Sequence, residues 1–298
     1  ASNMALTECD LLINLGSRFD DRLASNPKEF APNAKVVHID IDESEINKVI
    51  PTTLGIVADC KKVLEALVTE HQSHATYKEW VDHCLDNKSK HPFKYKEAND
   101  TFCRPQEAIE YIGKITNGEA IITTDVGQHQ MWSAQFYPFK HHSQWVTSGG
   151  LGTMGFGIPS AIGAQLAAPD KTVICFVGDG GFQMTNQEMA LLPEYHLNVK
   201  IVLINNGTLG MVKQWQDKFF NQRFSHSVFN DQPDFIKMAE AYGVKSFLID
   251  HPNKLKAQLD EAFNYEGPAL IEVRISPAEP VNPMNPSGKA NHEMEGLE

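Results

Sequence analysis

Short apolar runs, each closed by glycine or a carboxylate, alternate along the chain with amphipathic stretches. "DLLINLGS" runs into Gly16, "KVVHIDID" into Asp40 and Asp42, and "LGIVAD" into Asp59. "SEINKVI" reads as a short helix before the third run, and "CKKVLEALVTEH" as a helix after it. The opening "ASNMALTECD" reads as the end of a helix. Apolar runs bounded by turn residues predict buried strands. Strands alternating with helices predict an α/β fold of parallel sheets with helices on both faces. Ligands gather at the carboxyl ends of such strands, where Gly16, Asp40 and Asp59 sit.

The pattern divides the chain. Residues 1–72 carry the first strands. Residues 73–100 turn polar and predict a surface helix and a linker. A second domain, 101–276, opens with the helix "RPQEAIEYIGKI", and its strands are "EAIITTDVG", "KTVICFVGDG", "VKIVLINN" and "ALIEVRI". Residues 277–298, rich in Pro, Asn and Gly, predict an irregular tail draped over an active site.

Composition narrows the class. The chain has 298 residues and a formal net charge of -12, without a Lys/Arg block. That argues against a nucleic-acid or anionic-membrane surface. Five cysteines, an odd number without Cys-x-x-Cys, predict reduced thiols in the cytoplasm rather than disulfides or a zinc site. No apolar run is long enough to span a bilayer. The chain opens in a helix without a starting Met, which predicts a piece beginning inside a domain.

The densest chemistry lies at two strand ends. "CFVGDGGFQM" closes on Gly178-Asp179-Gly180-Gly181 and "VKIVLINN" on Asn205-Asn206, with the helical stretch "FQMTNQEMALLPEYH" between them. Adjacent parallel strands end side by side, so Asp179 and Asn206 can converge. A carboxylate, an amide oxygen and a main-chain carbonyl are hard ligands suited to Mg²⁺, which keeps phosphates and water in its shell. Gly180 and Gly181 lead into a helix whose free N–H groups suit a diphosphate. Asp-Gly and Asn-Gly are each common turn dipeptides. Paired at neighbouring strand ends, they point to a Mg-diphosphate site.

Gly-Asp-Gly followed by Asn-Asn resembles the thiamine diphosphate motif. With "TDVGQHQMW", "SGGLGTMGFGIPSAIGA", "INNGTLGMVKQWQ" and "INLGSRFDDR", the chain is similar to the catalytic large subunit of the acetohydroxyacid (acetolactate) synthase family, of the biosynthetic FAD-containing type, from Asn3 into the tail. The resemblance implies a C-terminal piece: part of a central FAD-binding-type domain over 1–72, then a thiamine diphosphate domain over 101–276. It implies Mg²⁺ ligation by Asp179, Asn206 and a main-chain oxygen of Thr208. It implies cofactor binding by Gly127, Gln128, His129, Gly178, Gly180 and Gly181. Gly181 replaces the serine frequent in the family, losing a hydroxyl near the diphosphate and keeping the N–H. Met154 resembles the apolar wedge that bends the cofactor into a V shape, and the Gly152 carbonyl the acceptor of its 4′-amino group. Met211 and Trp215, four apart on one helical face, resemble substrate-pocket residues. Trp215 matches the tryptophan that favours the larger keto acid. Gly16, Ser17, Arg18, Phe19, Asp20, Asp40, Ile41 and Asp59 resemble contacts to a structural, redox-silent FAD. Arg22 resembles the arginine that holds the second substrate's carboxylate, a pairing suited to a guanidinium.

The implied reaction decarboxylates pyruvate on thiamine diphosphate and condenses the hydroxyethyl group with a second pyruvate or 2-ketobutyrate, in valine, leucine and isoleucine biosynthesis. The implied enzyme is a transferase, a cytoplasmic homodimer or tetramer with a small regulatory subunit. Thiamine enzymes with FAD of the pyruvate oxidase or glyoxylate carboligase type share parts of the pattern, and Trp215, Met211 and Arg22 favour the synthase. A non-catalytic module holding Mg-diphosphate is a further alternative. A dinucleotide-dependent dehydrogenase fits less well, because no Gly-x-Gly-x-x-Gly follows the first strand. The family's proton-relay glutamate belongs to an N-terminal domain and acts across a dimer interface. The sequence carries no such domain, which predicts little or no pyruvate turnover by this chain alone.

Overall fold

The structure, a computed structural model, describes residues 1–70, 76–96 and 101–297. It divides into two compact units, Ala1–Lys94 with Asn282–Glu298, and Tyr95–Val281.

The first unit contains α1 (Ser2–Glu8), β1 (Leu11–Leu15), β2 (Lys35–Asp40), β3 (Leu54–Val57), α2 (Cys60–Glu70) and α3 (Lys78–Lys90). Its strands form a parallel sheet in the order β1-β2-β3. The expected helix in "SEINKVI" is only a 3-10 turn, Glu43–Glu45, capped by the Asp42 side chain. β-Branched Ile46 and Val49 favour extended backbone, and Asn47 stands at φ 60, which ends any helix there. Within 73–100, α3 is the expected surface helix; residues 73–75 and 97–100 lie outside the described residues.

β1 is not buried on both faces, as its apolar run suggested. Leu11 and Ile13 are 50% and 53% exposed, whereas Asn14 between β1 neighbours is 8% exposed. Phe19, Phe30, Ala31, Val36 and Ile50 form a core on one face of this sheet. The tail, residues 282–297, carries no helix or strand and packs within this same unit. Gly288 N donates to Ser25 Oγ (2.7 Å), and Asn291 Nδ2 to Leu23 O (3.1 Å).

The second unit runs α4 (Pro105–Ile115), β4 (Ile121–Thr124), α5 (Gln128–Phe136), β5 (Trp145–Thr147), α6 (Gly157–Ala167), β6 (Val173–Gly178), α7 (Asp179–Thr185), α8 (Leu191–Glu194), β7 (Val199–Asn205), α9 (Gly210–Phe219), α10 (Phe235–Ala241), β8 (Lys245–Ile249), α11 (Leu255–Asn264) and β9 (Ala269–Arg274). Six parallel strands lie in the order β5-β4-β6-β7-β9-β8. β6 and β7 are buried along their whole length. Alternate side chains serve opposite faces. Ile174 and Phe176 meet the Ile109, Trp132 and Leu259 side, while Val173, Cys175 and Val177 meet Ile158, Phe182 and Phe235. Burying one such side chain stabilises the fold by roughly 1.5–3 kcal/mol. Lys200, inside β7, reaches the carbonyls of Tyr265 and Gly267 at 2.6 and 2.7 Å.

The stretch after β6 differs from the single helix expected. α7 begins at Asp179, so Gly180 and Gly181 lie within its first turn, and a 3-10 segment, Asn186–Ala190, separates it from α8. Pro193 has no N–H to bond residue 189, so one continuous helix cannot run through α8. β5 and β8 had no matching expectation; both are partly exposed edge strands with a weak apolar pattern.

Candidate cofactor site

The chain leaves β4 through α5 toward β5 at one edge, and leaves β6 in the opposite direction toward β7. Such a switch point opens a crevice at the strand ends. A cavity lies there, lined by residues 126–129 after β4, 178–181 after β6, and 206 and 208–212 after β7, with Trp132, Met154 and Ile204.

Asp179 and Asn206 both face this cavity. Asp179 is 1% exposed. Its Oδ1 accepts from Gly180 N (3.1 Å) and its Oδ2 from Gln232 Nε2 (2.6 Å). Burial pushes its pKa up to about 6 against these hydrogen bonds. Asn206 Nδ2 donates to Gln128 Oε1 (3.0 Å), and Asn206 Oδ1 accepts from Thr208 N (3.0 Å). Gln128 Nε2 donates in turn to Gln214 Oε1 (2.8 Å) and Glu279 O (3.1 Å). This amide chain assigns the Asn206 side chain's orientation, as hydrogen-bond networks do. Asn205, its neighbour, turns away and donates to the buried Glu272 at 2.9 Å, tying β7 to β9.

Thr208 pairs with Val228 in an antiparallel bridge. The bonds come from its neighbours, Leu209 N to Ser227 O and Phe229 N to Gly207 O, so the Thr208 carbonyl is not spent on them. Among the described residues no group of three or more His, Cys, Asp or Glu could hold a metal. One carboxylate, one amide oxygen and one carbonyl suit a hard cation whose remaining ligands are phosphate and water.

His129 is buried beside the cavity, and desolvation by burial holds it below the usual histidine range, with Asp125 acting in the opposite direction. Its ring is therefore neutral at pH 7. Among the described residues, His129 Nε2 and Thr208 Oγ1 are buried without a hydrogen-bond partner, a cost that a polar ligand in the cavity removes.

Beneath the cavity, Asp125 is fully buried, and its Oδ2 accepts from Gly157 N (2.9 Å) at the start of α6. A Cβ added at Gly181 would lie 2.1 Å from Asp125 Oδ1. Gly181 thus matters here for the carboxylate beneath it, and not only for a hydroxyl missing near a diphosphate.

The remaining expected residues are dispersed. Met154 and Met211 line the cavity; Gly152 and Trp215 are outside its lining, and Trp215 rests against Phe219 at 5.2 Å between ring centroids. In the first unit, Gly16, Asp40 and Asp59 gather at the ends of parallel neighbours β1, β2 and β3. Each carboxylate there caps its own turn. Asp20 Oδ1 accepts from Arg22 N and Leu23 N, Asp40 Oδ1 from Asp42 N, and Asp59 Oδ1 from Lys61 N and Lys62 N. Arg18 pairs with Asp20 at 3.6 Å, and Ser17 O accepts from Asn14 Nδ2. Ile41 and Arg22 are exposed. Phe19 is a core residue, edge-on to Phe30 and His38, so only its main chain is left to meet a ligand. Asp125, Gln214 and Gln232 had no assigned role. Asp125 had a signal, an acid at a strand end; Gln232 sits in a loop and had none.

A family model described as the thiamine pyrophosphate enzyme C-terminal TPP binding domain matches residues 125–273, and one for the thiamine pyrophosphate enzyme central domain matches residues 1–67. The chain belongs to the thiamine pyrophosphate enzymes. Within that class it is similar to the acetolactate synthase large subunit of Lactococcus lactis, 54% identical over 297 residues, which are 100% of this chain and 51% of the relative. It is 44% identical to the isozyme 1 large subunit of Escherichia coli over 298 residues, 99% of this chain and 52% of that relative. The isozyme 2 large subunit of Escherichia coli is 41% identical over 294 residues, 99% of this chain and 53% of the relative. The family resemblance carried by the motifs is borne out, and the chain spans about half the length of the curated relatives it matches. Among the described residues no helix is long and apolar enough to cross a membrane.

Proposed function

We propose that the second unit binds magnesium thiamine diphosphate, and that the whole protein is an acetolactate synthase. The observation that carries this is the meeting of Asp179 and Asn206 at one cavity with residues 126–129, inside the segment matched by the thiamine pyrophosphate-binding model. Asp179, Asn206 Oδ1 and the Thr208 carbonyl hold Mg²⁺. Gly127, Gln128, Gly178, Gly180 and Gly181 bring main chain to the diphosphate, and neutral His129 lies beside it. Bound thiamine diphosphate supplies the electron sink for decarboxylating a 2-keto acid. The protein's part is to orient it and exclude water: Met154 as the apolar wedge, the Gly152 carbonyl as an acceptor, Met211 and Trp215 as substrate wall.

The substrate assignment is supported by the acetolactate synthase relatives. Pyruvate is decarboxylated, and its remaining two-carbon unit passes to a second pyruvate or 2-ketobutyrate for branched-chain amino acid biosynthesis in the cytoplasm. The first unit carries a structural FAD on Gly16, Ser17, Arg18, the Phe19 main chain, Asp20, Asp40, Ile41 and Asp59, and Arg22 holds the acceptor's carboxylate. The whole protein works as a homodimer or tetramer with a small regulatory subunit.

Calorimetric titration of this chain with thiamine diphosphate should show binding that requires Mg²⁺ and disappears in D179A. Binding that ignores Mg²⁺, or persists in D179A, refutes the site. Product analysis of the full-length protein with pyruvate should yield acetolactate; its absence despite cofactor binding refutes the substrate.

A further inference from the structure

The segment following α9 folds back over the metal-side loop. Residues 227–229 bridge 207–209 through Leu209 N to Ser227 O (2.8 Å) and Phe229 N to Gly207 O (3.0 Å). Shortly beyond, Phe235 anchors the start of α10 in the core, edge-on to Phe182 at 5.4 Å between centroids. Gln232 lies between these two fixed points. Its Nε2 donates to Asp179 Oδ2 at 2.6 Å. Asp179 lines the cavity and Gln232 is outside its lining, so the amide holds the carboxylate without being one of the groups that line the cavity.

A carboxylate that offers one oxygen to a cation must have its plane fixed. Gly180 N holds Asp179 Oδ1 and Gln232 holds Oδ2. Without such donors a buried carboxylate is costly to keep charged. An amide is suited to this place, since it stabilises the anion as a neutral donor. An ammonium or guanidinium there would compete electrostatically with Mg²⁺. Partners behind a metal ligand orient it and tune its affinity.

We infer that Gln232 is a positioning residue for the Mg²⁺ of the cofactor, acting through the Asp179 carboxylate. This rests on the proposed Mg-thiamine diphosphate site and assigns a residue outside its contacts.

The test uses the whole chain, saturating thiamine diphosphate, and Mn²⁺ followed by electron paramagnetic resonance. Q232M keeps the side chain's length and removes the donor; N230A, on the same exposed segment, is the control. Q232M should raise the Mn²⁺ half-saturation by about tenfold to a hundredfold, the usual range for such partners, while N230A stays at the wild-type value. Circular dichroism at the titration temperature shows whether Q232M is folded, and Q232A repeats the measurement if it is not. Half-saturation within twofold of wild type overturns the assignment. Tighter Mn²⁺ binding also overturns it, by making the amide a competitor of the cation. A wild-type chain that takes up no Mn²⁺ with thiamine diphosphate overturns the cofactor site itself, and the assignment with it.

Discussion

Replacing Gly181 with alanine probes the packing that holds up the cofactor cavity. The new Cβ would lie 2.1 Å from Asp125 Oδ1 and 2.7 Å from its Cγ, well inside the contact distance of about 3.5–4.0 Å. Asp125 is fully buried, and its other oxygen is bonded to Gly157 N. Moving the carboxyl away stretches that bond, and a buried group left unsatisfied costs about 1–3 kcal/mol. Overpacking adds about 1–3 kcal/mol. Alanine is favoured over glycine within a helix by about 0.5–1 kcal/mol, which offsets only part. The expected net loss is about 1–5 kcal/mol, combining these ranges. Urea unfolding of the wild type and G181A measures it. The double mutant D125A/G181A supplies the control, since contacting residues couple: without the carboxyl, the cost of G181A should fall below about 1 kcal/mol. A G181A chain as stable as wild type, or an equal cost in the D125A background, refutes the steric account.

The pH dependence follows from Asp179. Its folded pKa is raised to about 6 from 3.8, so the folded state binds the proton more tightly than the unfolded one. The metal-free chain should therefore lose about 2–3 kcal/mol as pH rises through that window, and D179N should remove that part of the slope in urea midpoints; an unchanged slope in D179N refutes the assignment. Metal binding needs the deprotonated carboxylate, so Mg²⁺-dependent uptake of thiamine diphosphate should weaken below about pH 6, as read by titration at several pH values. In G210A, the new Cβ would lie 2.0 Å from Gln128 Oε1 and 2.6 Å from Asn206 Nδ2. Displacing that amide contact should weaken cofactor binding by about tenfold, the size of one lost hydrogen bond or slightly more; calorimetry showing unchanged affinity would argue that the Asn206–Gln128 contact does not orient the ligand.

Much of the site was legible because buried parallel strands leave long apolar runs and end in abrupt punctuation. Val173 to Val177 and Ile201 to Ile204 are such runs, so Asp179 and Asn206 stood out at their ends. β5 and β8 were hidden because edge strands bury only some of their side chains. β1 misled in the opposite sense: its leucines and isoleucine look like a strand buried on both faces, yet Leu11 and Ile13 are half exposed. "SEINKVI" has helical spacing, but local backbone at Asn47 overrode it.

The residues able to bind a metal and their places at strand ends were thus written in local order, because strand punctuation needs only neighbouring positions. Their division of labour was settled by packing. Asn205 and Asn206 are adjacent and chemically identical, yet β9 claims the first through Glu272 and Gln128 the second. Gly181 packs against Asp125 across the β4–β6 switch point, where a Cβ would not fit, and Asp179 is bonded to Gln232 through a returning loop. Such partners come from distant parts of the chain, brought together only when crossovers place strand ends and loops side by side. No local periodicity records which side chain then falls within 3 Å of which.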